Sequence, residues 1–270
     1  MPARREEIVS ALADSDLIVV LGGPLSLYHI EGDGPHVPEG AQVYYLLDNL
    51  NLATSAPVGT AIITHLKPGI AALLTGPEPR QRGTPSPKQA AKQLDSLILS
   101  DAYLLQQIAA LRPTGAVVVE EAPSSRRAMH EYLPIIERNG FYTCASGGLG
   151  YGLPASIGVA LGNPSKKIIA VLGDGSAMYA IQGLWSAAQL GLPVSFIIIK
   201  NGRYEALLQL GRHMGMEHII GTDLPNIDFC AIARGQGLTA QSVGTTGELD
   251  AVLRESFAAT HATLVEVTVD

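Results

Sequence analysis

Lys167-Ile168-Ile169-Ala170-Val171-Leu172-Gly173-Asp174-Gly175-Ser176 decides the fold. Its apolar, partly β-branched run has no polar alternation, the mark of a parallel strand buried on both faces. It runs straight into two glycines that flank an acid. Glycine lets backbone N–H groups approach a ligand closely, so the carboxylate stands at a strand's carboxyl end beside an anion-receptive turn. Val194-Ser195-Phe196-Ile197-Ile198-Ile199 repeats the pattern and ends at Lys200-Asn201-Gly202-Arg203-Tyr204. Asp174 and Asn201 are 27 residues apart, enough for one strand-loop-helix-loop-strand crossover, so both side chains emerge at one level of the sheet.

Reading outward, Ala116 to Glu120 and Thr263 to Val267 are further strands. Helices are expected over Ala155 to Leu161, Ala180 to Leu190 and Thr246 to Thr260, and from a Ser100 cap to Leu111. Alternating strands and helices predict an α/β fold, a doubly wound parallel sheet that binds ligands beyond its carboxyl ends. Towards the N-terminus, Asp16 to Gly23 reads as a central strand. Ala41 to Leu47 and Ala61 to Thr64 are two more, and a short helix is expected to open at Pro68 and run to Thr75. These form part of a second Rossmann-like domain. Between the two regions, Gly76 to Pro87 holds four prolines and two glycines in twelve positions, which neither a helix nor a central strand accommodates. The expected organisation is a partial domain over 1–78, a Pro-rich linker over 79–98 and the principal domain over 99–270.

Composition narrows the function. Charged residues are 16% of the chain, hydrophobic ones 47%, and the net charge is −7 without any Lys/Arg stripe, which argues against nucleic acid as the partner. No secretory leader and no apolar run of spanning length is evident, so there is no membrane partner and a cytoplasmic location is expected. Cys144 and Cys230, the only two cysteines, are too few for a disulfide framework or a structural zinc site. One carboxylate (Asp174), one amide oxygen (Asn201) and a backbone carbonyl, completed by phosphate oxygens, suit magnesium, and calcium could substitute.

A lone Gly-Asp-Gly is weak, and Gly32-Asp33-Gly34 is read as an ordinary turn. Here Ile157-Gly158, Pro164, Ile169, Val171, Gly173 to Ser176 and Asn201-Gly202 together reproduce the spaced signature of thiamine diphosphate enzymes. Phe141 to Gly158, Gly173 to Tyr179, Leu184 to Gln189, Asn201 to Tyr204 and Ile227 to Phe229 are similar to the benzoylformate decarboxylase family. The resemblance runs from about Asp14 to Val267 and corresponds to the C-terminal portion of that family. It implies thiamine diphosphate and Mg2+ as cofactors and nonoxidative decarboxylation of a small-molecule 2-oxo acid. It further implies that Asp174, Asn201 and the Arg203 carbonyl hold the metal. Gly173, Gly175, Ser176, Tyr204 and Ser124 would line the diphosphate. Gly147, with Gly148 beside it, would meet the aminopyrimidine through the backbone, and Leu149 would hold the cofactor bent. His29 falls where the family has an active-site histidine, a group able to move protons near neutral pH. The other histidines match no role, and Trp185 reads as core.

The same resemblance marks departures. The glutamate that protonates the cofactor's pyrimidine comes, in the family, from an N-terminal pyrimidine-binding domain with no counterpart here. That domain is expected from another chain or a further segment, and Glu120 and Glu121 are not substitutes. Thr143, Gln209 and Leu210 stand where the family has aromatic pocket residues, Lys200-Asn201 replaces a commoner Asn-Asn, and Pro123 replaces a hydroxyl residue. An acetolactate synthase-like carboligase and a noncatalytic cofactor-binding fragment are the alternatives. An uncovered apolar partner face predicts self-association, and so a homo-oligomer.

Overall fold

The computed structural model describes residues 5–25, 32–78, 93–95, 97–145 and 147–269. They belong to two compact units, divided at Pro87 and Lys88. Most of the Pro-rich stretch, and His29, lie outside the described residues.

The first unit contains helix α1 (Arg5–Ala11), strand β1 (Leu17–Leu21), β2 (Gln42–Leu47), α2 (Leu50–Thr54), β3 (Thr60–Ile63) and α3 (Leu66–Leu74). Its sheet is parallel with order β1-β2-β3. Ile18, Val43, Tyr45 and Leu47 form its core. β1 is therefore an edge strand among the described residues, not the central one expected. Its apolar run alternates in burial, with Leu17, Val19 and Leu21 about half exposed and Ile18 buried. α3 starts two residues before Pro68, after an extended His65. Proline is tolerated anywhere in the first helical turn, where backbone N–H groups lack intrahelical acceptors, so it does not fix the first residue.

The second unit is a three-layer α/β structure. In chain order it comprises α4 (Asp101–Leu111), β4 (Val117–Glu121), a 3-10 turn (Pro123–Ser125), α5 (Arg126–Tyr132), β5 (Phe141–Thr143), α6 (Gly152–Gly162), β6 (Ile168–Gly173) and α7 (Asp174–Met178). There follow α8 (Gly183–Gln189), β7 (Val194–Lys200), α9 (Glu205–His213), α10 (Phe229–Gly235), β8 (Thr239–Val243), α11 (Thr246–Ala258) and β9 (Thr263–Thr268). Ser100 caps α4 as expected, its hydroxyl accepting from the Tyr103 N–H at 3.2 Å.

Six parallel strands lie in the order β5-β4-β6-β7-β9-β8. Period-two alternation sends Ile168, Ala170, Leu172, Phe196 and Ile198 to one face, where residues of α6, α8 and α10 pack. Ile169, Val171, Ile197 and Ile199 go to the other, against α4, α5 and α11. Each of these isoleucine, leucine, valine and phenylalanine side chains, fully buried, contributes about 1.5–3 kcal/mol. The chain goes from β4 outward to β5 and then returns past β4 to β6, so winding reverses between β4 and β6. Ligand crevices in open α/β sheets form at such a switch point, at the carboxyl ends of the strands.

At the opposite end of the sheet, Lys167 donates to the Ser256 and Ala259 carbonyls at 2.8 and 3.0 Å, closing the C-terminus of α11. Burial lowers its pKa to about 8. Below about pH 8 the ammonium is charged in both folded and unfolded states. From there to about 10.5 only the unfolded chain keeps the proton, so this residue's contribution to stability rises with pH. The urea midpoint, measured between pH 7 and 10, is expected to rise more in the wild type than in Lys167→Met. Parallel pH profiles would contradict the assignment.

Candidate cofactor and metal site

The site is built on two strand ends. At the end of β6, Gly173 is extended and Asp174 opens the short helix α7. Asp174 is buried, and its Oδ1 accepts from the Gly175 N–H at 2.8 Å. Its Oδ2 accepts from Asn201 and Gly202, at 3.1 and 2.7 Å, across the next crossover. One carboxylate thus ties the β6 turn to the β7 turn. Burial pushes the Asp174 carboxyl up, against the opposite pull of these N–H donors. A cation beside it would favour the charged form.

The β7 turn is itself pinned. Asn201 Oδ1 accepts from the Arg203 N–H at 3.2 Å, Gly202 takes a φ of 71°, and Leu224 donates to the Gly202 carbonyl at 2.8 Å. The Arg203 backbone forms an isolated antiparallel β-bridge with Asp223, and Tyr204 donates its N–H to the Thr222 carbonyl at 2.7 Å. Asp174, Asn201 and Arg203 are therefore brought to one place by backbone that has few other arrangements. Their carboxylate, amide and carbonyl oxygens are the hard donor set that a small divalent cation accepts.

Tyr204 packs on Gly175 so closely that a β-carbon there would fall on its ring. Burial, then the neighbouring Tyr179 and Asp174, raises the pKa of the Tyr204 phenol. Ser176 is buried in α7. Ser124 is exposed in the 3-10 turn that follows β4, on the other side of the switch point. Gly147, with a φ of 72°, and Leu149 are half-buried and Gly148 is exposed, in the loop between β5 and α6. Thr143 lies at the end of β5 and Gln209 and Leu210 on α9. These residues could hold an elongated anionic cofactor, with the carboxylate, amide and carbonyl oxygens at one end and a glycine loop at the other.

Two carboxylates that sequence reasoning set aside are the best-buried acids beside the switch point, Glu120 and Glu121, each about 2% exposed. The pleat turns them to opposite faces. Glu120 accepts from the Thr143 hydroxyl at 2.5 Å, the Ala122 N–H at 2.8 Å and the Arg126 side chain at 3.3 Å. Glu121 accepts from the N–H groups of Gly150, at 2.6 Å, and Gly152. Their signal in the sequence was two adjacent acids closing an otherwise apolar strand. Such burial is costly unless hydrogen bonds compensate it.

Gly175→Ala is expected to displace Tyr204 and lower Mg2+-dependent affinity for pyrophosphate at least tenfold by calorimetry. Unchanged affinity would show that the Gly175–Tyr204 contact does not shape the site.

Benzoylformate decarboxylase of Pseudomonas aeruginosa is 36% identical over 269 residues, covering 99% of this chain and 51% of that protein. Acetolactate synthase isozyme 1 large subunit of Escherichia coli is 27% identical over 275 residues, covering 96% of this chain and 48% of the relative. The solved structure of Rhodococcus jostii RHA1 thiamine diphosphate-dependent 4-hydroxybenzoylformate decarboxylase superposes with a TM-score of 0.91 at 33% identity, covering 100% of this chain and 51% of that one. The chain thus spans about half the length of the relatives it matches. Residues 122–267 match the family model for the thiamine pyrophosphate enzyme C-terminal TPP binding domain. The stretch takes in both strand-end turns and the glycine loop, and it makes this chain a member of the thiamine pyrophosphate enzymes.

Proposed function

We propose that the whole protein catalyses nonoxidative decarboxylation of a 2-oxo acid of the benzoylformate type, with this chain supplying the thiamine diphosphate and Mg2+ site. The observation that carries the reading is the Asp174 carboxylate, which locks the β6 and β7 turns at the switch point. In this reading Asp174, Asn201 and the Arg203 carbonyl hold the metal, and Gly173, Gly175, Ser176, Tyr204 and Ser124 line the diphosphate. Gly147 and Gly148 meet the aminopyrimidine, and Leu149 supports the cofactor from beneath. His29 serves as a proton carrier. Bound thiamine diphosphate supplies the nucleophile and the electron sink, while the protein positions it and excludes water. A pyrimidine-binding domain, in a further segment or a companion chain, completes the centre.

Carboligation is the second reading. The similarity to acetolactate synthase supports it, and so does the presence of Thr143, on β5, and Gln209 and Leu210, on α9, at the positions where the family resemblance expects aromatic pocket residues. Among the described residues no helix is long and apolar enough to cross a membrane. We further propose that the protein is cytoplasmic and that copies of this chain associate. Exposed apolar side chains in both units support association, among them Val19, Leu21, Leu190 and Trp185, the last being 57% exposed on α8 and not in the core as its sequence context suggested.

Calorimetric titration with thiamine diphosphate is expected to show binding in Mg2+ that is lost in EDTA and in Asp174→Ala. Binding that survives either change would overturn the metal assignment. Once a pyrimidine-binding domain is supplied, benzoylformate should yield benzaldehyde and carbon dioxide in equal amounts. Acetolactate from pyruvate, without benzaldehyde from benzoylformate, would favour the carboligase. Sedimentation velocity is expected to show species larger than the monomer, and a single monomeric boundary would contradict self-association.

A further inference from the structure

We infer that Glu121 is a positioning residue that sets the Gly147–Gly152 loop against the aminopyrimidine–thiazolium end of the cofactor, separately from the diphosphate site. The inference rests on the proposed cofactor reading and deepens it.

α6 starts at Gly152, and the side chain of its N-cap residue, Tyr151, makes no capping hydrogen bond. Its first N–H is satisfied from 31 residues away, by Glu121 Oε2, while Oε1 takes the Gly150 N–H at 2.6 Å. An anionic oxygen at a helix N-terminus meets both the unpaired N–H groups and the positive end of the helix dipole. Both oxygens therefore face the loop and the helix start, and Glu121 is almost fully buried there.

The loop has been fitted to this grip. A β-carbon at Gly152 would collide with the Glu121 β-carbon and with Leu172 Cδ2, each 2.7 Å away, so only glycine lets α6 begin so near β4 and β6. Gly150 takes a φ of 92° and packs towards Tyr179, whose β-carbon would lie 3.3 Å from an added methyl. Gly147 takes a φ of 72°. Gly150 and Gly152 are held by one carboxylate, and Gly147 to Leu149 precede them directly. Asp174, by contrast, makes its bonds to Gly175, Asn201 and Gly202, and shares none of them with this loop. Two buried acids at the ends of neighbouring strands thus hold two separate sets of turns.

The separation is testable with Glu121→Gln, whose amide keeps one acceptor oxygen but turns an N–H2 group towards one of the two donors. Calorimetry would compare Mg2+-dependent affinities for thiamine diphosphate and for inorganic pyrophosphate. In the wild type the full cofactor should bind more tightly. In the variant that preference should fall at least tenfold, with pyrophosphate affinity unchanged within about twofold. Amide hydrogen exchange at Gly150 and Gly152, read without ligand, should accelerate in the variant. If wild type and variant show the same preference, or if both affinities fall together, Glu121 has no separate positioning role. If the wild type binds neither ligand, the cofactor reading fails and this inference with it.

Discussion

The Asp174 carboxylate is the constraint on which the rest of the site depends. It has been drawn out of water at the end of a strand buried on both faces, and it is compensated there by backbone N–H groups from its own turn and from the next. Leaving such a charge without partners would cost several kcal/mol, so the β6 and β7 turns are coupled to each other through it. The coupling also fixes where Asn201 and the Arg203 carbonyl stand. The proposed cation site would then follow from backbone architecture rather than from side chains reaching across open space.

Glu120 and Glu121 extend the same principle to the other side of the switch point. Adjacent residues of a strand point to opposite faces. Glu120 therefore binds Thr143 and Arg126 on one face, and Glu121 holds the Gly150–Gly152 turn on the other. The apolar sheet positions all three acids, and they in turn order the loops that the sheet cannot reach. Binding groups carried on loops become precise when a rigid scaffold holds them in this way.

The parallel core was legible because its strands are continuous β-branched runs. The Gly173–Ser176 and Asn201–Tyr204 turns were legible because a carboxylate and an amide oxygen recur at strand ends. Elements without such a signal were not found. β8, Thr-Ala-Gln-Ser-Val, is a polar edge strand, and β5 has only three residues. α7 was hidden because Gly-Asp-Gly reads as a turn, although Asp174 is already the first residue of a helical turn. The central position expected for β1 failed for a related reason. A short apolar run does not say whether both its neighbours are present, and here one edge carries no partner strand among the described residues. The grip of Glu121 on α6 and the packing of Tyr204 on Gly175 join residues that are distant in sequence, and no local pattern records either contact.

Anomalous diffraction from crystals grown with Mn2+ and thiamine diphosphate would show whether a divalent cation and a diphosphate sit between the β6 and β7 turns. One manganese peak is expected, coordinated by Asp174, the Asn201 side chain and the Arg203 carbonyl, with diphosphate oxygens completing its shell. A peak elsewhere, or ordered cofactor without manganese at these three residues, would contradict this coordination.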